Sequence, residues 1–352
     1  MGRDGRDFVV GGEPFRFVGF NLYDAAASDR YSCRPQSRIP PEDLEEQFRW
    51  LHDEAGVTVI RFWAYQPYTS GGRDFSAVDA VIEAARAAGI RLIPVLEDGP
   101  GDCSTGRPGV PLSEADDGTW FSSGYRKPYG NARLSYRDYV RVVAEHYRDE
   151  PTILAWMLVN EAETTARDDQ DRSVLVSFAG DVAQVVRDVD PNHLITLGTQ
   201  GNGAPGGSGS DLRAVYNQSG LDFVEVHDWA RYGSDTEPLP GATAAGALPA
   251  ADSGECTSRT ARIACAFAVA ADLGKPIVVG EVGITATDAA ARRRRADLLQ
   301  AKGEAAFRAG AEGYLVWHYG TAQTDGYDIV RTDNDPTFGV VRRLAAEFGT
   351  GD

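Results

Sequence analysis

The sequence predicts an α/β fold, a single (β/α)8 barrel with long βα loops at its C-terminal face. Three observations carry this reading. Eight apolar, β-branched runs recur along the 352 residues, amphipathic helical segments separate them, and the longest irregular stretches each follow a predicted strand. Runs that are apolar throughout are what parallel strands look like when helices cover both faces. Regular alternation of such runs with helices over this length predicts one closed barrel rather than two domains.

The elements follow in chain order. A strand is predicted over 15–21 (FRFVGFN), and a helix over 41–55 whose Pro-Glu-Asp opening suits a first turn. Strand 57–63 (VTVIRFW) leads to helix 75–88, and strand 90–96 (IRLIPVL) to helix 136–147. Strand 153–160 (ILAWMLVN) is followed by helix 174–189, and strand 193–198 (HLITLG) by a short helix over 211–219. Strand 223–227 (FVEVH) precedes helix 261–273. Strand 276–281 (PIVVGE) precedes helix 292–309, where Ala296, Leu299, Gly303 and Phe307 share one face. Strand 313–318 (GYLVWH) and helix 338–348 close the chain. Residues 98–134, 199–210 and 228–256 read as loops on the face where barrels carry their chemistry. The run 292–295 (RRRR) reads as a solvated helix start. The domain expectation is one catalytic barrel over 1–352, with 8–348 the barrel proper.

Composition narrows the function. The chain has 35 Lys+Arg against 52 Asp+Glu, a formal net charge of −17. A nucleic-acid binder needs a basic face, so none is expected. No apolar run is long enough for a membrane span. A neutral ligand and a monomeric soluble protein fit this balance. The four cysteines, Cys33, Cys103, Cys256 and Cys265, form no C-x-x-C pair and no zinc-type cluster. An even count fits two disulfides and an extracellular protein. Cys33 and Cys103 both fall on mouth loops, after strands one and three. Cys256 and Cys265 bracket a helix start. The expected bridges are Cys33–Cys103 and Cys256–Cys265. Residues 1–15 lack the charged-then-apolar layout of a signal peptide, so an exported chain has had its signal removed.

The sharpest feature is the placement of polar residues on apolar strands. Arg61 lies within strand two, Asn160 and Glu161 end strand four, His227 ends strand six, Glu281 ends strand seven, and Trp317 and His318 end strand eight. Charged groups at buried strand ends are costly unless paired or used. A structural Arg–Glu pair would explain some of them, but the whole set converging on one mouth points to a site. Two carboxylates at one mouth suit glycoside hydrolysis, one as acid and the other as nucleophile or base. Arg61 beside Glu281 would keep that group ionised. Apolar neighbours and the charge of Glu281 would push the Glu161 carboxyl upward. Loop aromatics (Tyr23, Trp63, Tyr65, Tyr68, Trp120, Tyr125, Tyr129, Trp229, Tyr232, Tyr319 and Tyr327) suggest a sugar-binding cleft.

Strand four with W-M-L-V-N-E, strand seven with K-P-I-V-V-G-E, strand two with V-I-R-F-W and the Trp ending strand eight resemble clan A of the glycoside hydrolases, TIM barrels in which family 5 is nearest. Members of the endo-β-1,4-mannanase type look closest. The opening F-V-V-G-G-E-P-F-R-F-V-G-F-N resembles that family's N-terminal hairpin. The resemblance implies a retaining β-glycoside hydrolase without cofactor or metal, acting on an oligo- or polysaccharide. It implies Glu161 as general acid/base and Glu281 as nucleophile. Asn160 would bond the sugar 2-hydroxyl, Arg61 would orient Glu281, and His227 would contact the sugar or Glu281. Trp317 would be the platform under the sugar, with Trp63 and Trp229 among the binding residues. Two positions depart from the pattern. Ala162 stands where the family has Pro, and His227-Asp228-Trp229 where it has His-x-Tyr. The nucleophile's usual tyrosine donor is therefore missing, with Tyr232 or another tyrosine as a substitute.

Other readings carry less. Gly201-Asn202-Gly203-Ala204-Pro205-Gly206 matches G-x-G-x-x-G, with Glu225 downstream, but Pro205 and the Gly-Ser run give no helix at the phosphate position. That speaks against a nucleotide-dependent oxidoreductase and for a flexible mouth loop. Asp325, Asp328, Asp333 and Asp335 miss the EF-hand spacing and read as turn formers. A non-catalytic carbohydrate-binding barrel is a further class, against which the presence of both glutamates argues. A β-glucanase or another β-glycosidase of the clan is the alternative substrate class.

Overall fold

A computed structural model describes residues 1–98, Cys103, 114–229 and 236–350. The apolar runs form eight parallel strands: β1 (Phe17–Asn21), β2 (Val59–Trp63), β3 (Arg91–Val95), β4 (Ala155–Met157), β5 (Leu194–Thr196), β6 (Val224–Trp229), β7 (Ile277–Gly283) and β8 (Gly313–Trp317). Most of their residues are fully buried, as strands covered by helices outside and packed side chains inside must be. The order around the sheet is β5-β4-β3-β2-β1-β8-β7-β6. The seam between β6 and β5 closes through sparse bonds. Asp222 donates its N–H to the Ile195 carbonyl at 2.8 Å and His227 to that of Gln200 at 3.0 Å. The hydroxyls of Thr196 and Thr199 donate to the carbonyls of Phe223 and Glu225.

The helices are α1 (Leu44–Ala55), α2 (Ser76–Ala88), α3 (Glu114–Ser122), α4 (Tyr136–Tyr147), α5 (Leu175–Arg187), α6 (Ser210–Tyr216), α7 (Ile263–Leu273), α8 (Ala289–Arg308) and α9 (Thr337–Phe348). All eight expected helices are present. The additional one, α3, lies in a stretch that reads as irregular. Its acidic, glycine-containing opening has no amphipathic period, and docking of Trp120 and Phe121 on Phe178 of α5 supplies its stability instead. Helix α8 begins before residue 292 because the Asp288 carboxylate accepts the Ala291 N–H at 2.8 Å and caps it.

An antiparallel ribbon (Gly2–Asp4, Asp7–Val10, Glu13–Pro14) plugs the bottom of the barrel. Its buried Phe8 meets Phe17 and Phe223, which sit at the lower ends of β1 and β6. Both expected disulfides form, with Cα separations of 5.2 Å for Cys33–Cys103 and 5.0 Å for Cys256–Cys265. No helix among the described residues is long and apolar enough to cross a membrane.

One expectation fails in the arginine run of α8. Arg295 is fully buried rather than solvated. It forms an ion pair with Asp335 and donates to the carbonyl of Tyr327 at 3.1 Å. The repeat of four arginines hides that helical rotation turns one of them inward. Asp335→Ala should therefore cost about 3–5 kcal/mol, because it strands a buried guanidinium. Urea unfolding checks this, and replacing both partners by apolar residues should restore most of the loss.

Candidate active site

The site is built on the upper ends of the strands around Arg61. This arginine is fully buried on β2, where an unpaired guanidinium would be prohibitive. Its Nη1 donates to Glu281 Oε1 at 2.6 Å and to Asn21 Oδ1 at 2.8 Å, and its Nη2 donates to Asn160 Oδ1. Its Nε faces Met157 Sδ at 3.2 Å, and its guanidinium lies 4.7 Å from the centre of the Trp63 ring. One cation thus ties β1, β2, β4 and β7 together.

Glu281 reaches the interior through a bulge. The register of β7 shifts at Gly280 against β6 and by Val282 against β8. Such a bulge re-aims the side chains that follow it. The freed Gly280 carbonyl accepts the Asn21 amide N–H at 2.9 Å. Trp229, at the top of β6, donates its indole N–H to Glu281 Oε2 at 3.1 Å. The residue two past His227, where the family pattern has tyrosine, therefore supplies a donor, but an indole N–H instead of a phenol. The indole lies against β7 because residue 283 is glycine, since a Cβ there would sit 2.3 Å from the ring. Asp228, beside it, is anchored by the buried Lys302 at 2.9 Å. Tyr232, the suggested substitute donor, lies outside the described residues.

Glu161 follows β4 with φ +48°, a left-handed backbone that a non-glycine residue adopts at some cost and that recurs at functional sites. Its Oε1 lies 2.8 Å from His227 Nδ1, and the same nitrogen is 3.4 Å from Glu281 Oε2. Carboxylate oxygens of Glu161 and Glu281 come within 4.8 Å of one another. The two differ in access, with 30% of the Glu161 side chain exposed against 3% for Glu281.

The electrostatics depart from expectation. Burial favours the neutral form of Glu161, but hydrogen bonds from His227 and Gln200 and the charges of His227 and Arg61 outweigh it. They hold the Glu161 carboxyl below its usual range. The upward push expected at Glu161 falls on Glu281 instead, chiefly from burial, with Glu161 and Glu225 adding to it and His227 and Arg61 opposing it. For His227, burial alone would discharge the ring. The nearby carboxylates of Glu225 and Glu281 and the hydrogen bond to Glu161 reverse that and raise it to about 10. At the end of β3, burial pushes the Asp98 carboxyl well above the usual carboxylate range, partly offset by the Asn160 amide, which donates to it at 2.7 Å. Asn160 is thereby clamped between Arg61 and Asp98, with one amide hydrogen left for a ligand.

The aromatic residues divide. Trp317, Trp229 and Tyr327 are partly exposed and adjoin one another, with Trp229 ring centres 5.8 Å from Trp317 and 5.1 Å from Tyr327. Trp63, 5% exposed, stacks on Tyr65 and supports Trp317 from behind, while Tyr23 stacks on Trp317 at 5.1 Å. Five others do not line a cleft. Trp120 and Tyr125 pack with Tyr136 and Phe178, Tyr319 packs with Phe20 and Phe338, and Tyr65 and Tyr68 are buried. Local composition suggested a cleft there, but the loops fold back and use these rings as core.

Glu161, His227 and Glu281 have donor atoms close enough together for a divalent cation, but both Glu281 oxygens already accept, from Arg61 and Trp229. A second cluster, His318 with Asp325 and Asp328, lies beyond β8, and Arg34 Nη1 already meets Asp325 Oδ2 at 2.6 Å. Asp328 Oδ2 accepts from the Thr324 and Asp325 N–H groups, as a turn former does, while Asp333 and Asp335 pair with Arg292 and Arg295. The glycine-rich loop after β5 runs to Ser210 before a helix begins, so no helix opens where a phosphate would sit.

The structure thus brings Arg61, Trp63, Asn160, Glu161, His227, Trp229, Glu281 and Trp317 to one end of the barrel. Asn21, Asp98 and Glu225 join them, beyond the set that the strand-end pattern predicts. Asn21 ends β1 as Asn160 follows β4, so the strand-end rule extends to it. Glu225 interrupts an apolar run two residues before His227, on the same strand face.

The chain is similar to known proteins. The family model for cellulases (glycosyl hydrolase family 5) matches residues 15–322. A mannan endo-1,4-beta-mannosidase 8 from Oryza sativa subsp. japonica is 28% identical over 326 residues, covering 81% of this chain and 79% of that protein. A putative mannan endo-1,4-beta-mannosidase 4 from Arabidopsis thaliana is 27% identical over 252 residues, 65% of this chain and 59% of that protein, so the chain spans about three-fifths of that relative. The solved endo-1,4-beta-mannanase of Rhizomucor miehei superposes with a TM-score of 0.69 at 18% identity, over 98% of this chain and 99% of that one. The endo-beta-1,4-mannanase of Thermotoga petrophila gives 0.66 at 21% identity, over 97% and 78%. At these identities the solved structures bear on the fold, which they share.

Proposed function

The chain belongs to glycosyl hydrolase family 5, and from that premise we propose that it is a retaining β-glycoside hydrolase that cuts β-1,4-linked mannan internally, with Glu281 as nucleophile and Glu161 as general acid and base. The observation that carries this reading is the approach of a Glu161 oxygen to within 4.8 Å of a Glu281 oxygen. Retention needs carboxyl groups about 5–5.5 Å apart, whereas inversion needs about 6.5–9.5 Å to hold a water between them. In the first step a Glu281 oxygen bonds to the anomeric carbon as the glycosidic bond breaks, and Glu161 gives its proton to the leaving oxygen. In the second, Glu161 takes a proton from water, whose oxygen displaces Glu281. Arg61 and the Trp229 N–H hold the Glu281 carboxylate for attack. The more open Glu161 meets the leaving group and then water.

The spare amide hydrogen of Asn160 suits the sugar 2-hydroxyl, and Trp317 and Trp229 offer faces to sugar C–H groups. All these groups come from one chain, so a monomer suffices. The names of the plant relatives favour mannan, while the family description keeps β-glucan as the second substrate class. The two disulfides fit an extracellular, oxidising location.

The test is hydrolysis of mannan, galactomannan and carboxymethylcellulose, with the first-formed anomer read by proton NMR. Faster release of reducing ends from mannan, as the β-anomer, is expected. Preference for the glucan would reassign the substrate, and an α-anomer formed first would overturn retention.

A further inference from the structure

Behind His227, below the mouth, lies a carboxyl that the reaction as described does not use. Glu225 is fully buried on β6, two residues before His227 and on the same face of the strand, so its side chain sits directly beneath the imidazole. Its Oε1 is 2.7 Å from His227 Nε2. That approach is an ion pair and not an aligned hydrogen bond, since neither His227 Nε2 nor the Glu225 oxygens have a hydrogen-bond partner among the described residues. Thr199 and Tyr216 engage the Glu225 backbone carbonyl instead. Space for the carboxyl comes from β7, where a Cβ on Gly280 would sit 1.8 Å from Oε1. A carboxyl sealed in a barrel core is costly unless it is paired or used, and an apolar residue would fill the space at no such cost.

We propose that Glu225 is a positioning residue that holds His227 as an imidazolium, with its Nδ1–H aimed at Glu161 and Glu281, and so sets the pH at which that pair works. The inference rests on the reading of Glu161 and Glu281 as acid/base and nucleophile. A neutral imidazole carries one N–H. If it sits on Nε2 toward Glu225, Nδ1 has nothing to donate to Glu161, which approaches it at 2.8 Å. If it sits on Nδ1, Nε2 presents a lone pair to the Glu225 oxygen at 2.7 Å. When both nitrogens carry hydrogen, Nδ1 donates to Glu161 and the charged ring forms an ion pair with Glu225.

The charged groups facing His227 are Glu225 on its own strand, Glu161 after β4 and Glu281 on β7. Arg61 on β2 faces the two catalytic glutamates rather than the ring. With the ring charged to about pH 10, the imidazolium persists across the working range and holds Glu161 low. Discharging it by removing the Glu225 charge takes a cation from beside both glutamates. The lost Glu225 anion pulls Glu281 the other way, but His227 acts on Glu281 more strongly than Glu225 does, so both carboxyls move up. The active form has Glu281 ionised and Glu161 protonated, and the two limbs of kcat/KM belong to this interacting pair, so both limbs shift to higher pH.

The test pairs wild type with Glu225→Gln, which keeps the shape and removes the charge. Histidine labelled with ¹⁵N reports the ring directly, and His227→Asn identifies its resonances. In wild type both His227 nitrogens should stay protonated past about pH 8, and in Glu225→Gln the ring should titrate at or below about 6.5, the unperturbed histidine value. Both limbs of kcat/KM on an aryl β-glycoside should move up by about one pH unit in the variant, with melting temperature nearly unchanged. A neutral His227 in the wild-type protein at pH 7 would overturn the proposal without any variant. So would an unchanged ring titration in Glu225→Gln, or a discharged ring with unmoved limbs. Absence of glycoside hydrolysis by wild type would instead strike the functional reading, while the ring measurement would still test whether Glu225 governs His227.

Discussion

Glu281→Gly should lower turnover by about 10⁴-fold or more on every substrate, since removing a covalent nucleophile eliminates the step rather than weakening it. The structure explains why no neighbour should take over. Arg61 and Trp229 are donors without nucleophilic electron pairs, and Glu161 engages His227 from the other side. The Arg61 guanidinium keeps Asn21 and Asn160 as acceptors, so the variant retains polar partners around the buried cation. Azide added to this variant, with an activated aryl β-glycoside, should enter the vacated space and yield the α-glycosyl azide. A β-product would reverse the assigned roles. Full activity would place the site elsewhere.

Glu161→Ala should fail in a different pattern. On polysaccharide, where the leaving group is a poor one, kcat should fall by about 10²–10⁴-fold, the usual range for a lost proton-transfer group. Aryl glycosides with acidic phenols need no protonation, so their first step should persist. The glycosyl-enzyme should then accumulate, because nothing activates water, and a burst followed by a slow steady state should result. Azide needs no base and should restore turnover with the β-glycosyl azide. Rapid-quench kinetics and mass spectrometry of the intermediate check this. Equal losses on both substrate classes, without a burst, would remove Glu161 from proton transfer.

Much of the site was legible because a barrel converts one-dimensional order into position. Polar residues that end apolar runs must emerge at one mouth when the strands are parallel, so Asn160, Glu161, His227, Glu281 and Trp317 could be placed together without coordinates. The same rule would have found Asn21. Period and composition also sufficed for the alternation of strands and helices and for pairing the four cysteines. Where local composition stood in for packing, the reading failed. Trp120, Tyr125 and Tyr319 lie in stretches that look like loops but pack into the core, and the fourth arginine of 292–295 turns inward to Asp335.

What the sequence alone determined was therefore the barrel and the set of side chains at its mouth. Both follow from short-range periodicity and strand direction. Only the tertiary structure decided who meets whom. The β7 bulge at Gly280 turns Glu281 onto Arg61, and Gly283 lets the Trp229 indole lie close enough to donate where a tyrosine was missed. It also decided the charge balance, in which Glu225 beneath His227 contributes to an imidazolium that draws Glu161 down rather than up. The physical reason is that a pKa sums interactions over groups far apart in the chain. Each term depends on distances of a few ångströms that strand stagger and bulges set, and no local pattern of residues encodes them.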